Sequence, residues 1–158
     1  MAFNELIESI IKQQDMREGP LLPVLHDIQH QVGYIPAEAL PIIAERLSLS
    51  QAEVHGVISF YRHFHQSPVG RHVVSICCAE ACQARGSREL EAHATQYLKT
   101  DYGDTSSDGA VTLERVYCLG NCSCGPSVSI GDKVYANVDA SRFSQLVDAL
   151  ATDVEATT

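Results

Sequence analysis

Four cysteines carry the chemistry expected of this chain. Cys77 and Cys82 enclose four residues, and Cys118 and Cys122 enclose three. Each pair begins where an apolar strand-like run stops: Val73-Val74-Ser75-Ile76 leads into the first, and Val116-Tyr117 into the second. Such a loop can aim two thiolates at one point. Two of them brought together by a sheet supply four sulfurs around one small space, the ligand set of an iron–sulfur cluster or a structural zinc. Four thiolates concentrate negative charge that a metal must offset. Backbone amides in Cys77–Gly86 and Cys118–Cys122 can point at the sulfurs, and Gly120 permits a close or positive-φ backbone there. Neither pair has the two-residue gap common in zinc ribbons, nor the CxxC spacing a disulfide oxidoreductase needs, nor a plant-type ferredoxin spacing.

Composition narrows the class. With 45% of its 158 residues apolar, the chain can bury a core as one ordinary domain or two small ones. Eleven basic against twenty acidic residues leave a net charge of −9, which opposes phosphate backbones and anionic lipid surfaces. Neither nucleic acid nor membrane is expected as a partner. The start, Met1-Ala2-Phe3-Asn4-Glu5-Leu6, has no basic region or signal-like apolar stretch, and no later run approaches the length of a membrane span. A cytoplasmic protein is the expectation. Six cysteines is an even number that admits a disulfide framework, but an intracellular chain keeps its thiols reduced and gives clustered cysteines to metals or redox chemistry.

The elements that must position the cysteines follow from periodicity. Phe3, Leu6, Ile7, Ile10 and Ile11 mark an amphipathic helix. Leu21, Leu25, Ile28 and Val32 mark a second, with Gly33 where a C-terminal cap belongs. Residues 37–47 read helical, with Pro41 either restarting or kinking the helix. Ser50 and Glu53 have the spacing of a capping box ahead of Val54, Val57, Ile58 and Tyr61. Residues 1–66 thus form a helical bundle, and Ser67-Pro68-Val69-Gly70 is the linker. A second domain, 71–158, starts with a strand from His72 to Cys77, buried on both faces. A helix follows, capped by Ser87, with Leu90, Ala94, Tyr97 and Leu98 facing inward. In the next strand Val111 and Leu113 lie on one parity and Val116 and Cys118 on the other, as burial on both faces or a bulge would produce. Ser127–Ile130 and Lys133–Val138 flank the Gly131-Asp132 hairpin, and Phe143, Leu146, Val147 and Leu150 mark the last helix. Thr152–Thr158 is expected to fray. His26 and His30 form an i, i+4 pair able in principle to bind zinc, with His55, His63 and His65 nearby in sequence, but no HExxH pattern accompanies them.

Cys77-x4-Cys82 followed by Ala84-Arg85-Gly86-Ser87, and Cys118-Leu119-Gly120-Asn121-Cys122 with Gly125-Pro126 beyond, resemble the thioredoxin-like [2Fe-2S] ferredoxins. Members of that family serve beside the flavin subunit in NADH-linked complexes. Within it, Cys78–Ala84 and Asp108–Gly120 look most like the gamma subunit of NAD-dependent formate dehydrogenase. The resemblance implies an α+β fold: a helical bundle followed by a thioredoxin-like α/β domain. It places a [2Fe-2S] cluster on Cys77, Cys82, Cys118 and Cys122, with Cys78 and Cys124 beside the ligands. It further implies an FMN/NADH-binding flavoprotein partner and a larger molybdenum-containing formate dehydrogenase subunit, with FMN, further iron–sulfur clusters and the molybdenum cofactor in those partners. The chain itself is then an electron-transfer subunit with no acid, base or covalent catalyst. The same module serves respiratory NADH dehydrogenase of the complex I type and NAD(P)-linked hydrogenases. A zinc-stapled assembly domain without redox activity is the alternative of a different class.

Overall fold

The computed structural model describes residues 3–14 and 16–153. The chain divides into two compact units, Met1–Pro68 and Val69–Thr158.

The first unit holds α1 (Phe3–Gln14), α2 (Leu21–Val32), α3 (Ala39–Arg46) and α4 (Gln51–Phe60). Apolar side chains recurring at helical spacing give each helix one face to bury, and Ile7, Ile10, Val24, Leu25, Ile28, Ile43, Val54 and Ile58 meet in one core. α2 ends as its sequence predicts. Gly33 takes a left-handed φ of 91° and donates its N–H to the Gln29 carbonyl at 2.7 Å. α3 begins at Ala39, later than the apolar pattern suggests, and runs through Pro41 without a restart. The proline is its third residue, where an N–H would have no acceptor within the helix, so the ring costs no hydrogen bond.

The predicted capping box opens α4. The Glu53 N–H donates to Ser50 Oγ at 3.2 Å, and the Ser50 N–H donates to Glu53 Oε2 at 2.8 Å. These bonds, first that from the Ser50 backbone, hold the Glu53 carboxyl below its ordinary value. Ser50→Ala is expected to cost about 1 kcal/mol in chemical denaturation. A carboxyl whose pKa falls on folding stabilises the fold above its unfolded pKa, and that contribution disappears as pH falls through the folded value. The advantage of the natural chain over Glu53→Gln is therefore expected at neutral pH and lost in acid.

The second unit contains β1 (His72–Cys77), α5 (Glu80–Gln83), α6 (Ser87–Leu98), β2 (Val111–Val116), β3 (Val128–Ile130), β4 (Lys133–Tyr135) and α7 (Ala140–Asp153). Its sheet runs β2-β1-β3-β4, with β1 parallel to β2 and antiparallel to β3. A parallel pair needs a crossover, which α5 and α6 supply. Val74, Ile76, Leu90, Ala94, Leu113, Val128 and Phe143 form the core of this unit. The Gly131-Asp132 hairpin closes with Ile130 opposite Lys133. In β1 and β2, Cys77 lies opposite Val116. Both cysteine loops therefore leave the sheet at one end, and antiparallel β3 starts from that same end.

Several details differ from the sequence reading. α5, a single turn around Cys82, had no periodicity to announce it. Gly86, not Ser87, is the cap residue of α6; Ser87 is buried, and its hydroxyl donates instead to the Cys77 carbonyl at 2.6 Å. Tyr97 is 39% exposed because its hydroxyl reaches Asp148, rather than packing inward. β2 ends at Val116, so Cys118 belongs to a loop, and within the strand the consecutive Val111, Thr112 and Leu113 are all buried, which is the double burial expected rather than a bulge. β4 stops at Tyr135, short of Val138. Of the segment expected to fray, Thr152 and Asp153 continue α7, and 154–158 lie outside the described residues. Among the described residues no helix is long and apolar enough to cross a membrane.

Candidate metal centre

The first cysteine pair sits at the end of a central strand and in the turn that follows it. Cys77, the last residue of β1, is buried, and its backbone is held on both sides: its N–H donates to the Ser127 carbonyl at 3.0 Å and its carbonyl accepts from Ser87. Cys82, in α5, is also buried. Burial pushes its thiol up, the neighbouring Cys77 thiol adds to this, and the Ser127 N–H opposes it.

Cys78 is adjacent in sequence but turned elsewhere. Successive side chains of an extended chain point to opposite faces. The Cys78 N–H continues the ladder to the Val116 carbonyl, its carbonyl accepts from Gln83 Nε2 at 2.7 Å, and its thiol donates to the Ile76 carbonyl at 3.3 Å. Burial, and then Glu91, push this thiol up to about 12, so it stays protonated near neutrality. Arg115 stands beside it, 4.1 Å from the centre of the Tyr102 ring and 3.4 Å from Glu91.

The second pair is exposed. Cys118 and Cys122 bring their Sγ atoms to 3.9 Å from each other, and the thiol contact with Cys118 pushes Cys122 up. Gly120 turns the loop between them at a φ of 72°, which lets its N–H donate to Cys118 Sγ at 3.3 Å. Cys122 opens a 3-10 turn that runs to Cys124. Cys124 is half-buried, with its sulfur 3.6 Å from Ser123 Oγ and its carbonyl accepting from the Asn137 N–H.

The loop after that turn packs directly on the first pair. A Cβ added to Gly125 would lie 2.9 Å from Cys82 Sγ and 3.4 Å from Cys82 Cα, so only glycine fits. Arg85 Nε donates to the Gly125 carbonyl at 2.8 Å, and the Gly125–Pro126 peptide is cis. The Cys82 thiol feels both Cys77 and Cys122, and the Cys122 thiol feels both Cys118 and Cys77. The structure thus brings Cys77, Cys82, Cys118 and Cys122 to one end of the sheet and directs Cys78 toward α6.

Among the described residues, no group of three or more His, Cys, Asp or Glu side chains is gathered to hold a single metal ion. The thiols stand in two pairs instead. A structural zinc wants four donors on one ion, whereas a two-iron centre asks each iron for two protein thiolates. Two pairs of thiols, with N–H groups of Gly120 and Ser127 directed at sulfur, are a donor set suited to a two-iron centre, and four such thiolates also suit one zinc. His26 packs against the rings of His63 and Phe64, at centroid distances of 5.3 and 4.9 Å. Sequence reading did not find the roles of Ser127, Gln83 and Ser87, because each acts through a backbone contact set by the fold rather than through a recognisable spacing.

The family model described as thioredoxin-like [2Fe-2S] ferredoxin matches residues 7–151. This chain belongs to that family. The NADP-reducing hydrogenase subunit HndA of Solidesulfovibrio fructosivorans is 32% identical to it over 145 residues, covering 92% of this chain and 84% of that protein. A subunit of the NADH-quinone oxidoreductase of Rhizobium meliloti is 32% identical over 149 residues, covering 94% and 89%. Among solved structures, an NAD+-reducing [NiFe]-hydrogenase in its air-oxidised state superposes on 85% of this ferredoxin-family chain with a TM-score of 0.72 and 22% identity. The present chain spans 23% of the length of that one, and the likeness bears on fold alone.

Proposed function

We propose that this chain is the electron-transfer subunit of an NAD-dependent formate dehydrogenase, with Cys77, Cys82, Cys118 and Cys122 as the ligands of a [2Fe-2S] cluster. The observation that carries the reading is the gathering of two thiol pairs at one sheet end in a chain of the thioredoxin-like [2Fe-2S] family. A cluster bound there supplies one-electron oxidation and reduction. The chain's own residues do the rest. Cys77 and Cys82 are buried and Cys118 and Cys122 exposed, so the site has an inner side and an edge toward solvent or a partner. The Gly120 and Ser127 amides offset part of the negative charge on sulfur. No residue of the site is asked to act as acid, base or nucleophile.

In this reading the partner is an FMN/NADH-binding flavoprotein subunit, and formate is oxidised at the molybdenum cofactor of a larger subunit, in the cytoplasm. The formate assignment is supported by the stretches Cys78–Ala84 and Asp108–Gly120. A second reading, the same relay role in a hydrogenase or a respiratory NADH dehydrogenase, is favoured by the names of the relatives above. Purification of the tagged chain with its native partners separates the two. Formate-dependent NAD+ reduction in a preparation carrying molybdenum, FMN and iron is the expected result. Iron and flavin with hydrogen- or quinone-linked activity in place of formate activity would move the chain to the second reading.

A further inference from the structure

We infer that Arg85 is the positioning residue that clamps the second cysteine loop onto the first pair and sets an unneutralised positive charge beside the thiolates. The inference rests on the cysteine assignment proposed above. Arg85 lies three residues after Cys82, just past α5, and Gly125 lies three residues after Cys122. The Arg85–Gly125 hydrogen bond therefore ties the two cysteine loops to each other across 40 residues of chain. It does so at a close approach of the two loops, since a Cβ added to Gly125 would lie 2.9 Å from Cys82 Sγ and 3.5 Å from Arg85 Cδ.

None of the described carboxylates is paired with Arg85. Its neighbour Arg88 differs: that guanidinium bonds Gln83 Oε1 at 3.0 and 3.2 Å, and Gln83 in turn holds the Cys78 carbonyl, so Arg88 reaches the cysteine loop through an intermediary. In a chain of net charge −9, a guanidinium with no carboxylate partner among the described residues, bonded directly between two thiol-bearing loops, is placed to offset negative charge there. A nearby cation favours the more negative of two redox states and so raises the reduction potential. The planar fork of arginine can spend Nε on the Gly125 carbonyl and keep its remaining N–H groups and its delocalised charge for the surroundings, which lysine cannot do.

The test uses the full chain with Arg85→Gln, which loses the charge and with it the charged donor to the Gly125 carbonyl, and Arg85→Lys, which keeps the charge and loses the fork. In iron-loaded protein, both variants are expected to lose iron to a chelator about tenfold faster than the natural chain. The potential is expected to shift negative in Arg85→Gln and to stay near the natural value in Arg85→Lys. In iron-free protein of unchanged melting temperature, alkylation of Cys82 by iodoacetamide is expected to rise about tenfold in Arg85→Gln, the scale of a lost hydrogen bond from a charged donor. Natural extraction and alkylation rates in both variants would overturn the clamp. Equal potentials in all three proteins would overturn the charge effect. A natural chain that carries no iron would sink the cysteine assignment, and the alkylation rates would still decide whether Arg85 clamps the loops.

Discussion

Cys77→Ser is expected to abolish the native cluster signal, whereas Cys78→Ser leaves iron content and visible absorbance at the natural level. The two cysteines are neighbours in a run where either could pair with Cys82, at a gap of four or of three residues. Strand geometry separates them. Cys77 ends β1 with its thiol among those of Cys82 and Cys122, while Cys78 turns its thiol back to the Ile76 carbonyl beside Glu91. A serine at position 78 can make the same bond to Ile76, so its cost in folding is expected to stay within about 1–2 kcal/mol. Serine at 82, 118 or 122 is expected to behave like serine at 77. Iron analysis and absorption spectra of the five purified variants check this; retention by Cys77→Ser with loss by Cys78→Ser would reassign the first ligand.

Gly125→Ala is expected to be the most damaging single-methyl change at the site. An alanine Cβ there would meet Cys82 Sγ at 2.9 Å, inside the closest ordinary approach, and the obstacle is a buried side chain in a turn fixed by its own backbone bonds. Either Cys82 moves or the loop lifts away from Arg85. Overpacking of this kind costs about 1–3 kcal/mol in stability, and displacing the support of a ligand lowers metal retention by roughly tenfold or more. Gly120→Ala is the informative contrast. That position has open space around it but a φ of 72°, so the penalty is conformational and of order 1 kcal/mol. Denaturation midpoints and chelator extraction rates of the two variants distinguish crowding from backbone strain.

The architecture was legible where local chemistry decided it. The capping box at Ser50, the Gly33 cap and the Gly131-Asp132 hairpin all rest on contacts within a few residues, and they stand as read. What the sequence concealed depends on partners far along the chain. Ser87 has the composition of a helix cap, but the fold places the end of β1 within reach of its hydroxyl, and a buried bond to the Cys77 carbonyl wins. Tyr97 has helical spacing for the core, yet Asp148 on α7 draws its hydroxyl outward. Pro41 reads as a breaker only until the start of α3 is known, since in the first turn its missing N–H has no acceptor to disappoint. The cysteine spacing paired Cys77 with Cys82 and Cys118 with Cys122 without showing what brings the two pairs to one place. That information lies in the parallel register of β1 and β2, which sets Cys77 opposite Val116, and in the close approach at Gly125, and no window of sequence contains either.

The central claim, a one-electron [2Fe-2S] site in this chain, is tested most directly by metal and sulfide analysis of the anaerobically purified chain joined to electron paramagnetic resonance after dithionite reduction. Two irons and two acid-labile sulfides per chain, silent when oxidised and giving a single spin-one-half signal when reduced, are the predicted result. Zinc in place of iron, with no reducible chromophore, would contradict it and leave a metal-stapled domain with no electron to carry.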